Sequence, residues 1–198
     1  MRIALFLITL ICSLNASAKL NGFDIQPGNS YPKVQLITTY GSITVELDRR
    51  RAPITVSNFL WLTKNKEYDN TIFHRVIKNF VIQGGGVTDD MKQKSDKNRI
   101  VNESGNGLSN DYGTIAMARE MEPHTASRQF YFNVKAEGNA NLNPNSSRWG
   151  YTVFGEVIEG MDILTKIMET PTGYDSSNGW QDVPLTKIYL KQAIILPE

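Results

Sequence analysis

The sequence predicts a mainly β protein, folded as a closed barrel or a sandwich with few helices. Three observations predict this class: many short segments rich in β-branched or aromatic residues, Gly, Asn or Pro between these segments, and only two stretches with helical spacing of apolar residues. No internal repeat and no Pro/Ser-rich linker divides the 198 residues. We therefore expect a single folded domain.

The N-terminus has the three parts of a secretory signal peptide. Arg2 provides a short cationic start, residues 3–14 are mostly apolar, and Ala16-Ser17-Ala18 is a small-x-small cleavage site. The apolar run is shorter than the ~20 residues that a membrane-spanning helix needs, which favours a cleaved signal over an uncleaved anchor. We therefore expect residues 1–18 to be removed and the protein to be exported, with no membrane attachment afterwards.

Cleavage after Ala18 would leave residues 19–198 without a cysteine, because Cys12 is the only one in the chain. A chain without thiols suits an oxidising compartment. The 21 Lys and Arg against 20 Asp and Glu give a net charge of +1, too weak a field to favour nucleic acid or an anionic membrane as a partner. Any partner must therefore be recognised locally, and we expect no nucleic-acid partner.

The expected elements follow in chain order. Residues 19–32 contain Gly and Pro without periodicity, which is typical of an extended or loose lead-in. Alternating apolar residues at 34–36 and 43–47, separated by turn residues, predict an opening β-hairpin. Helical spacing predicts α-helices over 53–65, opened by a proline, and over 161–168. The other predicted strands lie near 80–83, 113–118, 129–134, 151–157 and 187–194.

The sequence contains none of the common patterns of metal or nucleophilic catalysis. Its two histidines, His74 and His124, lack the spacing of a zinc site, and no EF-hand loop or G-x-S-x-G turn occurs. Residues 84–86 are all Gly but lack the Lys-Ser/Thr of a phosphate-binding loop, so a turn or a close backbone approach is favoured over a phosphate cradle. We expect no metal and no cofactor, and a secreted nuclease or hydrolase is disfavoured.

Four segments in consistent order and spacing carry a more specific signal. They are YDNTIFHRVIKNFVIQGG at 68–85, GTIAMA at 113–118, QFYFNV at 129–134 and GYTVFGEV at 150–157. On these segments the chain from about Val34 to its C-terminus resembles the cyclophilin family of peptidyl-prolyl cis/trans isomerases. The stretch NESGNGLSNDYGTIAMARE at 102–120, together with the signal peptide, is most similar to the exported, periplasmic bacterial branch. The resemblance implies an isomerase domain over 33–198, built as a closed barrel of eight antiparallel strands capped by two α-helices. It also implies isomerisation of X-Pro bonds in exported proteins.

Rotation about an X-Pro bond needs no nucleophile and no metal. Its barrier of ~18–20 kcal/mol is the resonance energy that the amide loses as it twists out of plane. A cation that donates to the lone pair of the twisted amide nitrogen would lower this barrier, because the interaction is absent from the planar ground state. Arg75 in the FHR block matches the family's catalytic arginine, and its guanidinium keeps its charge at any working pH. We therefore expect Arg75 to be catalytic. Without this match to the family, an arginine in a surface ion pair would be the favoured interpretation.

The resemblance also implies an apolar slot for the proline ring. Its lining would be Phe80, Val81, Tyr131 and Leu142, although each residue taken alone is more typical of a protein core. Strand alternation allows both environments, because residues 129 and 131 share one face of the strand and their neighbours share the other. The other substrate-binding residues expected are two amides that hold the peptide backbone, a histidine that supports the site without acting as an acid or base, and rim residues: Gln83, Gln129, His74, Ala118, Arg119 and Tyr151.

The chain departs from the family at several of these positions. Asn141 stands where many members have the Trp that touches cyclosporin, Tyr151 stands where many have a His, and Arg128 replaces a small polar residue. We therefore expect weaker cyclosporin binding with unchanged isomerase chemistry. The alternative function is a chaperone module that binds proline-containing peptides with little turnover, and the presence of Arg75 disfavours it. The expected partners are unfolded or partly folded proline-containing polypeptides, and the expected oligomeric state is a monomer.

Overall fold

The computed structural model describes residues 21–95 and 98–198, so the expected signal peptide at 1–18 lies outside the described residues. The described chain contains two α-helices, α1 (Pro53–Lys64) and α2 (Met161–Met168), and a 3-10 helix at Ala140–Leu142. Its strands are β1 (Lys33–Thr38), β2 (Ser42–Leu47), β3 (Thr71–Ile72), β4 (Arg75–Ile77), β5 (Val81–Gly84), β6 (Val87–Thr88), β7 (Thr114–Met117), β8 (Phe130–Asn133), β9 (Val153–Glu159), β10 (Thr172–Asp175), β11 (Trp180–Pro184) and β12 (Tyr189–Ile195).

Within the described residues, ten strands form one antiparallel sheet in the order β4-β5-β8-β7-β9-β2-β1-β12-β3-β6, and β10 and β11 pair as a separate hairpin. The mainly β class with two α-helices is confirmed, whereas the expected closed barrel of eight strands is wrong in strand count and closure. The reason lies in the segment 71–77, which pairs with β12 through β3 and with β5 through β4. Phe73 and His74 separate these two short strands, so this segment crosses from one end of the curled sheet towards the other. In the described residues the end strands β4 and β6 do not pair with each other, and the barrel is therefore not closed by hydrogen bonds.

The opening hairpin lies where the sequence predicts it. Val34 pairs with Val45 and Leu36 pairs with Ile43 across β1 and β2, and all four side chains are buried. Because alternate residues of a strand share a face, these apolar side chains point together into the core.

Both predicted α-helices are also confirmed. Pro53 opens α1, where the absence of a backbone N–H leaves no helical hydrogen bond unmade. The N–H groups of Ile54 and Thr55 donate to the Glu103 carboxylate at 3.1 and 2.8 Å, which satisfies the open N-terminal turn. Neither α-helix in the described residues has the length and apolar character needed to cross a membrane.

A cluster of aromatic rings forms the centre of the main core. The ring of Phe59 in α1 lies with its centroid 5.0 Å from Tyr68, 5.5 Å from Phe130 and 5.2 Å from Phe154. All four side chains are fully buried. Tilted and edge-to-face pairs at these distances are favourable beyond the area they bury, so Phe59 fixes α1 against β8 and β9.

Residues 21–32 consist of turns, not an extended or loose lead-in, and they pack on the domain. Ile25 is buried within the main core. Arg49 donates to the carbonyl oxygens of Ile25 and Gln26, and the Gln26 side chain donates to the carbonyl oxygen of Leu196 at 2.8 Å. These contacts explain why the segment is ordered despite its lack of periodic apolar residues.

The run of three glycines that begins with Gly84, the last residue of β5, is explained by close packing, as the sequence favours. Gly85 has a φ of 82°, in the left-handed region that glycine adopts at no steric cost. A Cβ added to Gly86 would lie 2.3 Å from Cγ of Gln129. The glycine run therefore leaves room for the side chain of Gln129 beside β5.

Candidate active site

A second and smaller apolar cluster lies outside the main core. It brings together every apolar residue expected to line the proline slot, and it adds Leu108, Ala116 and Val153, which the sequence does not single out. Its buried members are Val81, Ala116, Tyr131 and Val153, and its partly buried members are Phe80, Leu108, Ala118, Leu142 and Tyr151. We call this set the apolar pocket cluster.

Strand alternation produces the apolar pocket cluster. In β8, Phe130 and Phe132 belong to the main core, whereas Tyr131 between them belongs to the pocket cluster. In β5, Ile82 belongs to the main core and Val81 to the pocket cluster. β7 and β9 divide their residues in the same way, so four neighbouring strands present one face to each cluster.

Aromatic and cationic groups fix one wall of the pocket. The rings of Tyr131 and Tyr151 meet edge to face, with centroids 5.9 Å apart and an interplanar angle of 76°. The Arg119 guanidinium carbon lies 4.5 Å from the centroid of the Tyr151 ring, a favourable cation–π distance. The backbone N–H of Tyr151 donates to the carbonyl oxygen of Leu142 at 3.0 Å. Tyr151, Arg119 and Leu142 therefore form one connected rim.

The two glutamines expected to hold the peptide backbone lie together next to this rim. Gln83 Nε2 donates to Gln129 Oε1 at 2.8 Å. Both side chains line a cavity of about 220 Å³, which Ala118 and Arg119 also line. Since Ala118 belongs to the apolar pocket cluster as well, the polar cavity and the apolar pocket adjoin.

Arg75 lies in β4, directly opposite Gln83 of β5 in the strand register. Its side chain is 41% exposed, and its Nε lies 3.6 Å from Oδ2 of Asp182 in β11. The surface ion pair weighed from the sequence is therefore present, and the strand register also places Arg75 beside Gln83.

His74 is buried between β3 and the β10–β11 hairpin. Only 7% of the residue is exposed, and its ring centroid lies 5.8 Å from that of Trp180. Burial lowers the pKa of His74 to about 4, with the hydrogen bonds to the Ile72 backbone and the Gln129 side chain opposing the shift and the charge of Arg75 adding to it. His74 is therefore uncharged near neutral pH, which suits a supporting residue better than an acid or base.

A network of buried asparagines behind the pocket was not anticipated from the sequence. Tyr131 Oη donates to Asn110 Oδ1 at 2.7 Å, and Asn133 Nδ2 donates to the same oxygen at 3.2 Å. Asn139 Nδ2 donates to Asn133 Oδ1 at 2.7 Å and to the carbonyl oxygen of Phe80 at 3.0 Å. The network fixes Tyr131 and the start of β5. The signal that could have revealed it is alternation, because Asn133 follows Tyr131 by two residues and shares its face.

Within residues 21–95 and 98–198, no group of three or more His, Cys, Asp and Glu side chains is arranged to hold a metal ion. The chemistry available in the described site is that of the guanidinium groups of Arg75 and Arg119, several neutral amides and an apolar slot.

Comparison with known proteins assigns the chain to a family. The sequence model described as cyclophilin type peptidyl-prolyl cis-trans isomerase/CLD matches residues 33–193. The chain therefore belongs to the cyclophilin-type peptidyl-prolyl cis-trans isomerases, enzymes that act on proline peptide bonds. The resemblance inferred from the four sequence segments is confirmed.

Bacterial relatives match over most of their length. The chain is 51% identical over 166 residues to peptidyl-prolyl cis-trans isomerase cyp18 of Streptomyces antibioticus, which covers 82% of this chain and 98% of the relative. It is 44% identical over 159 residues to peptidyl-prolyl cis-trans isomerase B of Escherichia coli K12, which covers 80% of this chain and 96% of the relative.

Solved structures show the same fold. The crystal structure of a cyclophilin type peptidyl-prolyl cis-trans isomerase from Cryptosporidium parvum matches with a TM-score of 0.68 at 28% identity, covering 85% of this chain and 99% of that one. A second structure of the C. parvum protein, in the presence of the dipeptide Ala-Pro, matches with a TM-score of 0.67 at 28% identity, covering 84% of this chain and 99% of that one.

The low pKa of His74 predicts a loss of stability in mild acid. Above pH 6.5 the residue is neutral in both states, but between 6.5 and about 4 the unfolded chain takes up a proton that the folded chain does not. The free energy of unfolding should therefore fall by about 2 to 3 kcal/mol from this residue between pH 7.5 and 4.5. Urea denaturation at the two pH values measures the loss.

The variant His74→Gln separates this effect from that of the carboxylates, which titrate equally in both proteins. We expect the variant to lose clearly less stability than the unmodified protein over the same pH interval. An equal loss in the two proteins would contradict the assignment to His74.

Proposed function

We propose that this cyclophilin-type isomerase accelerates rotation about X-Pro bonds with Arg75 as its catalytic residue. The observation that carries the proposal is the register of β4 on β5, in which Arg75 stands opposite Gln83. Gln83 in turn is bound to Gln129 beside the apolar pocket cluster. These contacts support a site in which a cation, two amides and an apolar slot act on one proline-containing peptide.

The catalytic step requires only a hydrogen bond that forms as the amide twists. The twisted nitrogen becomes pyramidal and gains a lone pair, to which an N–H of the Arg75 guanidinium donates. Because the planar ground state lacks this lone pair, the interaction stabilises the transition state selectively. Lowering the barrier by about 7 kcal/mol would accelerate the reaction ~10⁵-fold, an amount within reach of one such donor together with desolvation and shape.

The neighbouring residues supply substrate binding in this proposal. Phe80, Val81, Tyr131 and Leu142 hold the proline ring, since they share the apolar pocket cluster. The other proposed contacts are to the peptide backbone and the flanking residues, and they are made by Gln83, Gln129, Ala118, Arg119 and Tyr151, with His74 as a neutral support. Proline-containing unfolded or partly folded polypeptides are the proposed substrates.

Replacing Arg75 tests the mechanism. In a protease-coupled assay of a cis-prolyl peptide, Arg75→Ala should lower kcat/KM at least tenfold, which corresponds to about 1.4 kcal/mol of transition-state stabilisation. Arg75→Lys should not restore it fully, because an ammonium lacks the planar fork of donors. Dialysis of the unmodified protein against a chelator should leave its activity unchanged.

Arg50→Ala is the matched control, because Arg50 is exposed and lies outside the site. It should keep full activity. A folded Arg75→Ala protein with full activity would overturn the mechanism, and an unmodified protein that binds proline peptides without turning them over would favour the chaperone module.

We also propose that the chain is exported and acts on exported proteins in the periplasm or outside the cell. The support is the sequence of residues 1–18, with its cationic start, its short apolar run and its Ala-x-Ala site. Removal of Cys12 with this segment leaves a chain that cannot form unwanted disulfides in an oxidising compartment.

Mass spectrometry of the protein purified from its natural host tests the export proposal. The N-terminal residue should be Lys19, without an attached acyl group. Ala18→Leu should slow cleavage, because the site requires a small residue at this position. Recovery of residues 1–18 on the protein in a membrane fraction would contradict the proposal.

We propose that cyclosporin binds this protein weakly. Asn141 lies in the 3-10 helix next to Leu142, at the edge of the apolar pocket cluster. Because Asn lacks the apolar area and the N–H of an indole, affinity should be at least ~30-fold below that of a member with Trp at this position. Asn141→Trp should recover part of the affinity in a titration of the peptide assay, whereas Ser146→Trp, on an exposed turn of the same loop, should not. Tight inhibition of the unmodified protein would contradict the proposal.

A further inference from the structure

The β10–β11 hairpin stands apart from the main sheet and contacts β4, the strand that carries Arg75. Its pairing contains an irregularity. Between the register pairs Gly173–Val183 and Asp175–Trp180, β10 contributes one residue and β11 contributes two. β11 therefore contains a β-bulge, a feature that redirects a side chain away from the regular alternation.

Asp182 is one of the two bulged residues, and its backbone has a φ of 61°. This left-handed conformation is sterically unfavourable for any residue with a Cβ, although Asp tolerates it better than most. Glycine is the residue that adopts such a positive φ at no steric cost. A carboxylate is thus held where the backbone alone would favour glycine.

The bulge directs this carboxylate to Arg75. Oδ2 of Asp182 lies 3.6 Å from Nε of Arg75, with the two side chains 36% and 41% exposed. An ion pair this exposed contributes little to stability. Two residues earlier in β11, Trp180 packs against His74. The short strand β11 therefore contacts two consecutive residues of the FHR segment, His74 and Arg75. The residue that contacts Arg75 has an unfavourable backbone conformation.

We infer that Asp182 is a positioning residue that holds the guanidinium of Arg75 for catalysis, an inference that rests on the proposed role of Arg75. A guanidinium offers five N–H donors in a rigid plane. A carboxylate near Nε occupies one edge and restricts the rotation of a long, flexible side chain, while the terminal Nη groups stay available to the substrate nitrogen. Arg75 then reaches the transition state with less conformational freedom left to lose.

Asp182→Gly is the decisive variant, because it removes the carboxylate and at the same time relieves the left-handed strain. We expect a melting temperature equal to or above that of the unmodified protein, together with a kcat at least threefold lower and a KM changed less than twofold. A merely structural role predicts the reverse, with a lower melting temperature and an unchanged kcat in the folded protein.

Two further variants refine the measurement. Asp182→Asn keeps a carbonyl acceptor and the tolerance for positive φ, so its kcat should lie between those of the glycine variant and the unmodified protein. Asp175→Asn removes another carboxylate of the same hairpin, whose hydrogen bonds among the described residues go to Ser177 and Asn178 in the turn, and this variant should keep full kcat.

A double variant shows whether Asp182 acts through Arg75. Asp182→Gly should have no further effect on kcat in an Arg75→Ala protein, since the group it positions is gone. In the Asp182→Gly single variant, the Nε–H proton of Arg75 should exchange with solvent faster than in the unmodified protein, as measured by NMR.

The outcomes separate this inference from the proposed function. A fully active Arg75→Ala protein would overturn the proposed function and with it this inference. An inactive Arg75→Ala protein beside an Asp182→Gly protein of unchanged kcat and unchanged Nε–H exchange would overturn the positioning role alone.

Discussion

The alternation of side chains along β5, β8, β7 and β9 is the constraint on which the candidate site depends. Phe130 and Phe132 are locked into the main core, where Phe130 packs against Phe59 and Tyr68. Tyr131 between them must then face the other way, into the apolar pocket cluster. A shift of the register by one residue would exchange the two faces and destroy both clusters at once. Core packing thus determines where the apolar pocket cluster can form.

This origin of the site suits a reaction without covalent chemistry. Nothing in amide rotation needs a reactive group, so the protein must supply a rigid arrangement of donors and apolar surface. The site residues on strands β4, β5, β7 and β8 meet that need, because hydrogen bonds of the sheet hold their backbones. The asparagine network adds a second constraint by fixing the hydroxyl of Tyr131 and the carbonyl of Phe80. Gly86 contributes by leaving room for Gln129.

Much of this arrangement could be predicted from the sequence, for physical reasons that differ between elements. The opening hairpin and both helices have enough residues for their periodicity to be visible. Resemblance to cyclophilins identified most residues of the pocket cluster but not Leu108, Ala116 and Val153. β3, β4 and β6 have two or three residues each, too few for a periodic pattern, and the split of 71–77 between two partners explains why the expected eight-stranded barrel is wrong. The β10–β11 hairpin did carry a local signal, since Asn178-Gly179 is a strong hairpin turn pair.

The contact of Asp182 with Arg75 has no such signal, because it depends on a bulge and a positive φ in a strand remote in sequence from the FHR segment. From sequence, the ion-pair and catalytic interpretations of Arg75 compete, since a surface arginine is usually paired with a carboxylate. The geometry of the ion pair makes the two interpretations compatible. An ion pair through Nε uses one edge of a planar group whose other donors point elsewhere. The Asp182 carboxylate gives Arg75 the ion pair of an ordinary surface residue, yet it leaves the other N–H groups of the guanidinium free to donate to a substrate. It also restricts the movement of the side chain, which an unpaired surface arginine would keep.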